Sequence, residues 1–141
     1  MSAEEQLRQL RRLGRLVRLG TWSVALPDYK VHWSDEVCEI HEVEPGFDPT
    51  LDSGLSFYTP EWRERVRQAF FRCAEGGEPI DEVIEITTAK GKRLWVHTIG
   101  EAVRDAGGKI VQVHGAFQDI TSLKATESER DLLARRLRDS M

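Results

Sequence analysis

Between Ile80 and Thr121 the chain runs through three alternating apolar and polar stretches separated by glycine-bearing breaks, and this pattern leaves few folds open. Ile84-Glu85-Ile86-Thr87 has the two-residue period of a half-buried strand. Lys90-Gly91-Lys92 interrupts it, and a second strand begins at Arg93 and runs through Ile99. Asp105-Ala106-Gly107-Gly108 turns the chain again, because glycine reaches positive φ without steric cost. Ile110 to Phe117 forms a third strand with Val111, Val113, Gly115 and Phe117 on one face. Such short joints call for an antiparallel meander.

A register follows from the turns. If Arg104 pairs with Lys109, then Val96 faces Phe117, Thr98 faces Gly115 and Gly100 faces Val113, on one largely apolar, small-residue side. Trp95, His97, Ile99, His114 and Ala116 occupy the other side. For Ile84 and Ile86 to join Val96, the first turn must hold an odd number of residues. A three-residue Lys90-Gly91-Lys92 loop, with Gly91 at positive φ or in a bulge, meets that requirement.

The flanking sequence supplies two more strands and several helices. Gly20 to Leu26 alternates up to the Pro27-Asp28 turn, and Val31-His32-Trp33 returns as a short partner. Ser34 caps a brief helix with Val37 and Ile40 inward, and residues 42–58 carry enough proline and glycine to predict turns and broken helix. Thr59-Pro60 reads as a hydroxyl N-cap followed by proline at the first helical position. Trp62, Val66, Ala69, Phe70 and Cys73 then share one helical face, which Gly76-Gly77 ends. Ahead of all this, Ser2 and Glu5 have capping-box spacing before a stripe of Leu7, Leu10, Leu13 and Val17 among arginines. Gly14 costs that helix roughly 1 kcal/mol against alanine, so it needs a surface to pack on. After Phe117, Asp119 or Thr121 can cap a polar helix whose Leu123, Leu133 and Leu137 form a weak seam broken by Thr126 and Arg130. The chain stops inside that helix, which predicts further sequence downstream.

Composition narrows the function classes. A length of 141 residues suits one domain, with 1–18 and 122–141 as flanking helices and 19–121 between them. With 40% hydrophobic and 31% charged residues, the chain is expected to be globular, cytoplasmic and not inserted in a membrane. A net charge of −4 offers no general attraction to nucleic acid. Cys38 and Cys73 have neither metal nor disulfide-framework spacing, and no phosphate loop, nucleophile motif or metal motif is present. His97 and His114 fall on one sheet face as diagonal neighbours, where packed or hydrogen-bonded histidines are the ordinary outcome and a shared metal the rarer one.

Gly20 and Trp22, Trp33-Ser34, Gly91 before Arg93-Leu94-Trp95-Val96, Gly107 or Gly108, Gly115, and Asp119-Ile120-Thr121 together resemble the PAS sensor domain over roughly residues 14–124. The resemblance implies an α+β fold: a five-stranded antiparallel sheet with helices on one face and helices flanking both ends. It implies that Val66, Phe70, Ile84, Ile86, Val96, Thr98, Val113 and Phe117 face the helices and any small-molecule ligand, although the same residues would serve simply as core. Asp119, Ile120 and Thr121 look like the family's exit motif, relaying a signal into the departing helix. Leu10, Leu13, Val17, Trp95, His97 and Ile99 would form the face that takes the flanking helix or a second subunit. Two departures stand out: the family's frequent His-Pro-Asp-Asp is Tyr58-Thr59-Pro60-Glu61 here, and a usual glycine is His41. Light-sensing relatives carry Asn-Cys-Arg-Phe beside their flavin, which this chain lacks, and residues 60–75 contain no histidine for haem, so the cofactor is left open.

The reading is therefore a non-enzymatic sensory and dimerisation module of a larger signalling protein, of histidine kinase or cyclic-nucleotide cyclase type. Its partners would be a second copy, a downstream output domain and a small ligand. The alternative is a ligand-free interaction module that only pairs subunits. A small-molecule enzyme ranks last, because the expected inward positions hold no acid or base.

Overall fold

The computed structural model of the protein describes residues 18–124, together with Ala3 and Glu5. Its elements are β1 (Leu19–Ala25), β2 (Lys30–Trp33), α1 (Asp35–His41), α2 (Leu51–Leu55), α3 (Pro60–Gly76), β3 (Ile80–Thr87), β4 (Arg93–Arg104) and β5 (Ile110–Asp119). The five strands form one antiparallel sheet in the order β2-β1-β5-β4-β3, as the alternating runs require. Leu10, Leu13 and Val17 of the N-terminal stripe, and Leu133 and Leu137 of the C-terminal seam, lie outside the described residues.

Strand alternation sets the two faces of this sheet. Ile84, Ile86, Leu94, Val96, Thr98, Val113 and Phe117 are all buried on the helix-covered side. On the opposite side Trp95 and His97 are half-buried and Ile99 is 43% exposed. The expected faces are present, but the β4–β5 register differs from the expected one by two residues: Thr98 pairs with Phe117, Gly100 with Gly115 and Ala102 with Val113. Two local features account for the slip. The turn is one residue tighter, with Asp105 N–H bonded to Lys109 O (2.8 Å) and Asp105 Oδ1 accepting from the amides of Gly107 and Lys109. A bulge between Val103 and Arg104 adds the second step. An even slip leaves every side chain on its face.

The β3–β4 joint differs in a similar way. Thr88 N–H donates to Lys92 O, so the three-residue loop is Ala89-Lys90-Gly91, one position earlier than expected, with Gly91 at φ 86°. Ile84 then pairs with Val96 and Ile86 with Leu94.

Helix boundaries follow from their caps. Ser34 Oγ accepts from Val37 N–H and starts α1, and Glu42 closes it in the left-handed conformation. Within the proline-rich stretch α2 is a formed helix, because Thr50 and Ser53 make a reciprocal capping box. Thr59 precedes α3 as expected, yet its hydroxyl donates to Glu85 O (3.0 Å) and does not cap the helix. That bond, Thr59 N–H to Glu85 O and Thr87 N–H to Phe57 O satisfy part of the free edge of β3. Gly77, at φ 77°, ends α3.

The glycine pair at the centre of the sheet has a steric cause. Trp22 pairs with Gly115 and its indole lies over Gly100, so both positions must stay small. A Cβ on Gly115 would collide with the carbonyl oxygen of Ile99 and sit 2.8 Å from Gly100 Cα, both backbone atoms that cannot rotate away. Gly115→Ala is therefore expected to cost about 3 kcal/mol, with the urea midpoint as readout. Gly76→Ala, where a Cβ meets nothing within 4 Å, should leave the midpoint unchanged or slightly higher.

Candidate functional site: a core cavity and the exit junction

The helices leave a cavity of about 80 Å³ against the sheet. Val66 and Phe70 from α3, Thr98 from β4 and Phe117 from β5 border it. Ile84, Ile86, Val96 and Val113, grouped with them in the sequence, do not. They are completely buried, so packing consumes the space above them and they serve as core. The rest of the wall includes Trp22, Val24, Trp33, His41, Leu55 and Tyr58, from elements whose role the alternation did not reveal.

His41 is the unexpected member. It is 2% exposed at the last position of α1, four residues after Val37, and that helical spacing is the signal that it shares Val37's inward face. Its ring stacks on Trp33 at 4.0 Å and on Phe117 at 5.0 Å, while Phe57 meets it edge-on at 5.0 Å. Nδ1 lies 2.8 Å from Val37 O. Burial raises the Tyr58 pKa well above that of a free phenol, and the nearby Thr98 side chain opposes this only in part. Trp22 Nε1 donates to Ala116 O at 3.3 Å. Cys38 and Cys73 are enclosed in the core and burial pushes both thiols up, so neither is a ready thiolate.

The exit motif forms a second, contiguous arrangement. Asp119 Oδ2 accepts from Arg18 Nη1 at 3.1 Å, and Asp119 N–H donates to Arg18 O. The other carboxylate oxygen accepts from Thr121 N–H (3.0 Å) and from Thr121 Oγ1 (2.6 Å), so Asp119 holds the first turn of the departing helix. Thr121 Oγ1 also accepts from Trp95 N–H (3.1 Å), and Ile120 N–H donates to Trp95 O. Arg18 reaches further, from Nη2 to Glu39 O in α1 at 3.3 Å. One carboxylate thus ties the chain's way into the sheet to its way out.

On the outer face, Trp95 meets Trp62 edge-on at 5.9 Å, with Lys124 Nζ 5.5 Å from its ring centre. His97 Nε2 bonds Asp81 at 2.7 Å. The two-residue register slip places His114 opposite Glu101 and His97 opposite Gln118, so the two histidines are not diagonal neighbours. No three metal-ligating side chains come together among the described residues. Nor, among them, is any helix long and apolar enough to cross a membrane.

Burial lowers the His41 pKa from 6.5 to about 4, and the bond to Val37 O opposes this only in part. Trp33, Phe57 and Phe117 pack against the ring without a charge to stabilise imidazolium. The sign follows: between these two pKa values the unfolded chain binds a proton that the folded chain does not. Stability is therefore complete above pH 6.5 and falls with pH through the folded value, by about 3 kcal/mol in all. Denaturant unfolding between pH 7 and pH 5 should show this slope, and His41→Phe should flatten it.

The sequence profile of the PAS fold matches residues 30–117. Among curated proteins, Sensor protein FixL of Bradyrhizobium diazoefficiens is 28% identical over 109 residues, covering 77% of this chain and 22% of its own length. The chain thus spans about a fifth of that relative. A sensory box histidine kinase/response regulator structure from Burkholderia thailandensis superposes with a TM-score of 0.70 at 19% identity, covering 93% of this chain and 98% of that one. The N-terminal domain of a diguanylate cyclase with PAS/PAC sensor from Marinobacter aquaeolei gives 0.70 at 16% identity, over 75% of this chain and 98% of that one. With the profile covering well over half its length and the five-stranded sheet in place, this chain belongs to the PAS fold family.

Proposed function

We propose that the chain is a sensory and dimerisation module of a larger signalling protein, of histidine kinase or cyclic-nucleotide cyclase type. On this reading an event in the core cavity alters the sheet, and Asp119-Ile120-Thr121 passes the change to the exit helix. The observation that carries it is the Asp119 carboxylate, which at once holds Arg18, the Thr121 amide and the Thr121 hydroxyl. A sensor equilibrium moves only if the signal binds one state better than the other. The junction suits such a switch, because a few hydrogen bonds at the surface of the sheet exchange without disturbing the core.

The outer face would take the second subunit or the flanking helix. Ile99 at 43% and Val83 at 40% exposure lie on adjacent strands there, beside half-buried Trp95 and His97. Apolar side chains grouped on one sheet face favour a partner over water. The ligand-free alternative keeps this pairing role and dispenses with the cavity. Native mass spectrometry of freshly purified protein separates the two, since a retained small molecule favours the sensor.

The relay has its own test. Asp119→Ala in the full-length parent should uncouple output from signal while lowering unfolding free energy by about 1 kcal/mol, because Arg18 is partly solvent-exposed and its pair is screened. Output that still follows the signal in that variant would sink the relay.

A further inference from the structure

Beside the exit junction, apart from the core cavity, lies a recess of about 390 Å³, within the ~300–1,000 Å³ range of small-molecule sites. The chain leaving α1 borders it with Glu42 and Glu44, and the β3–β4 loop borders it with Lys90 and Lys92. Ala89 N–H to His41 O and Thr88 Oγ1 to Glu42 Oε1 (2.7 Å) stitch these two segments together. Arg18 and Glu39 border the recess as well, joined by the bond from Arg18 Nη2 to Glu39 O. Val43 and the buried Leu94 supply the apolar part of the lining.

Two charges of opposite sign are held in place here: Arg18 by Asp119 and Glu39 O, and Glu42 by Thr88. Both residues keep a left-handed backbone, at φ 49° and 60°, which any side chain with a Cβ resists. Among the described residues only Tyr29 joins them as a non-glycine with positive φ, so strain of this kind gathers at the recess, as it does at functional sites. Glu39, Glu44, Lys90 and Lys92 are exposed, and no ion pair among the described residues engages them. The lining thus sets Arg18, Lys90 and Lys92 against Glu39, Glu42 and Glu44. A simple anion would meet the carboxylates, and a simple cation the guanidinium and ammonium groups, each at the cost of like charge. An occupant carrying both signs avoids either penalty. We propose that the recess binds a small zwitterion of the α-amino-acid class, its carboxylate toward Arg18 and the two lysines, its ammonium toward the glutamates and an apolar side chain against Val43 and Leu94.

L-Leucine, 4-methylpentanoate and 3-methylbutylamine make the test, because the second lacks only leucine's ammonium and the third only its carboxylate. Titrated into the whole chain by calorimetry, leucine should bind about tenfold tighter than either, the worth of one charge-assisted contact. Lys90→Gln combined with Lys92→Gln should weaken leucine about tenfold and leave the amine no weaker. Glu39→Gln combined with Glu44→Gln should weaken leucine to a similar extent and leave the acid no weaker. The four side chains are exposed, so both double variants should keep the urea midpoint of the unaltered protein. Amide NMR of the unaltered protein locates the site: leucine should shift residues 42–44 and 90–94, and not Val66 or Phe117 on the core cavity. No saturable binding of leucine, equal affinities for the three compounds, shifts confined to the core cavity, or a leucine affinity that survives either double variant would each overturn the proposal. The Asp119→Ala relay test uses none of these compounds, so the two readings fail separately.

Discussion

The close approach of β4 and β5 at Gly100 and Gly115 is the constraint on which the rest of this domain depends. Without side chains at those two positions the Trp22 indole can lie across the strands, and Ile99 O can come where a Cβ would otherwise sit. That arrangement fixes which residues lie opposite one another from Val96 to Ala102. It thereby sets Thr98 beside Phe117 on the cavity wall and extends the ladder to Trp95 and Ile120, where the exit begins. Cavity and junction are products of one register.

This explains which features could be read from the sequence. Face assignment rests on a period of two, which survives any even slip, so Val96, Thr98, Val113 and Phe117 point inward in the expected register and in the observed one alike. Register depends on turn chemistry and bulges, and there the structure differs from the expected pairing by two residues. Asp105 tightened its turn with its own carboxylate, and the bulge at Val103 and Arg104 has no compositional mark. Thr59 misled for a related reason: an N-cap hydroxyl has more than one acceptor within reach, and the free edge of β3 offered Glu85 O.

The cavity was harder to foresee than the sheet. Alternation identifies residues that point inward, but not where inward-pointing residues fail to fill space. Ile84 and Phe117 looked alike in sequence, yet only Phe117 borders the void. His41 had a legible signal in its spacing from Val37, masked because histidine on a short helix reads as polar surface. Its burial among three aromatic rings makes it an aromatic core residue that retains one polar edge.

Helix α1 is where the two halves of the proposed mechanism meet. Its last residue, His41, borders the cavity and accepts Ala89 N–H on its carbonyl, so the β3–β4 loop is anchored there too. Two residues earlier, Glu39 O receives Arg18, the partner of Asp119. A ligand that displaced His41 would strain the same short helix on which Arg18 rests. The contact from Arg18 to Glu39 O is long and exposed, worth no more than about 1 kcal/mol. Coupling of that order changes a population ratio about fivefold, far short of the roughly 5.5 kcal/mol needed to invert a 1:99 equilibrium. On the proposed reading, one domain biases the exit helix and does not lock it, and two such domains acting on paired helices would together supply about 2 kcal/mol, roughly thirtyfold, which is still a bias.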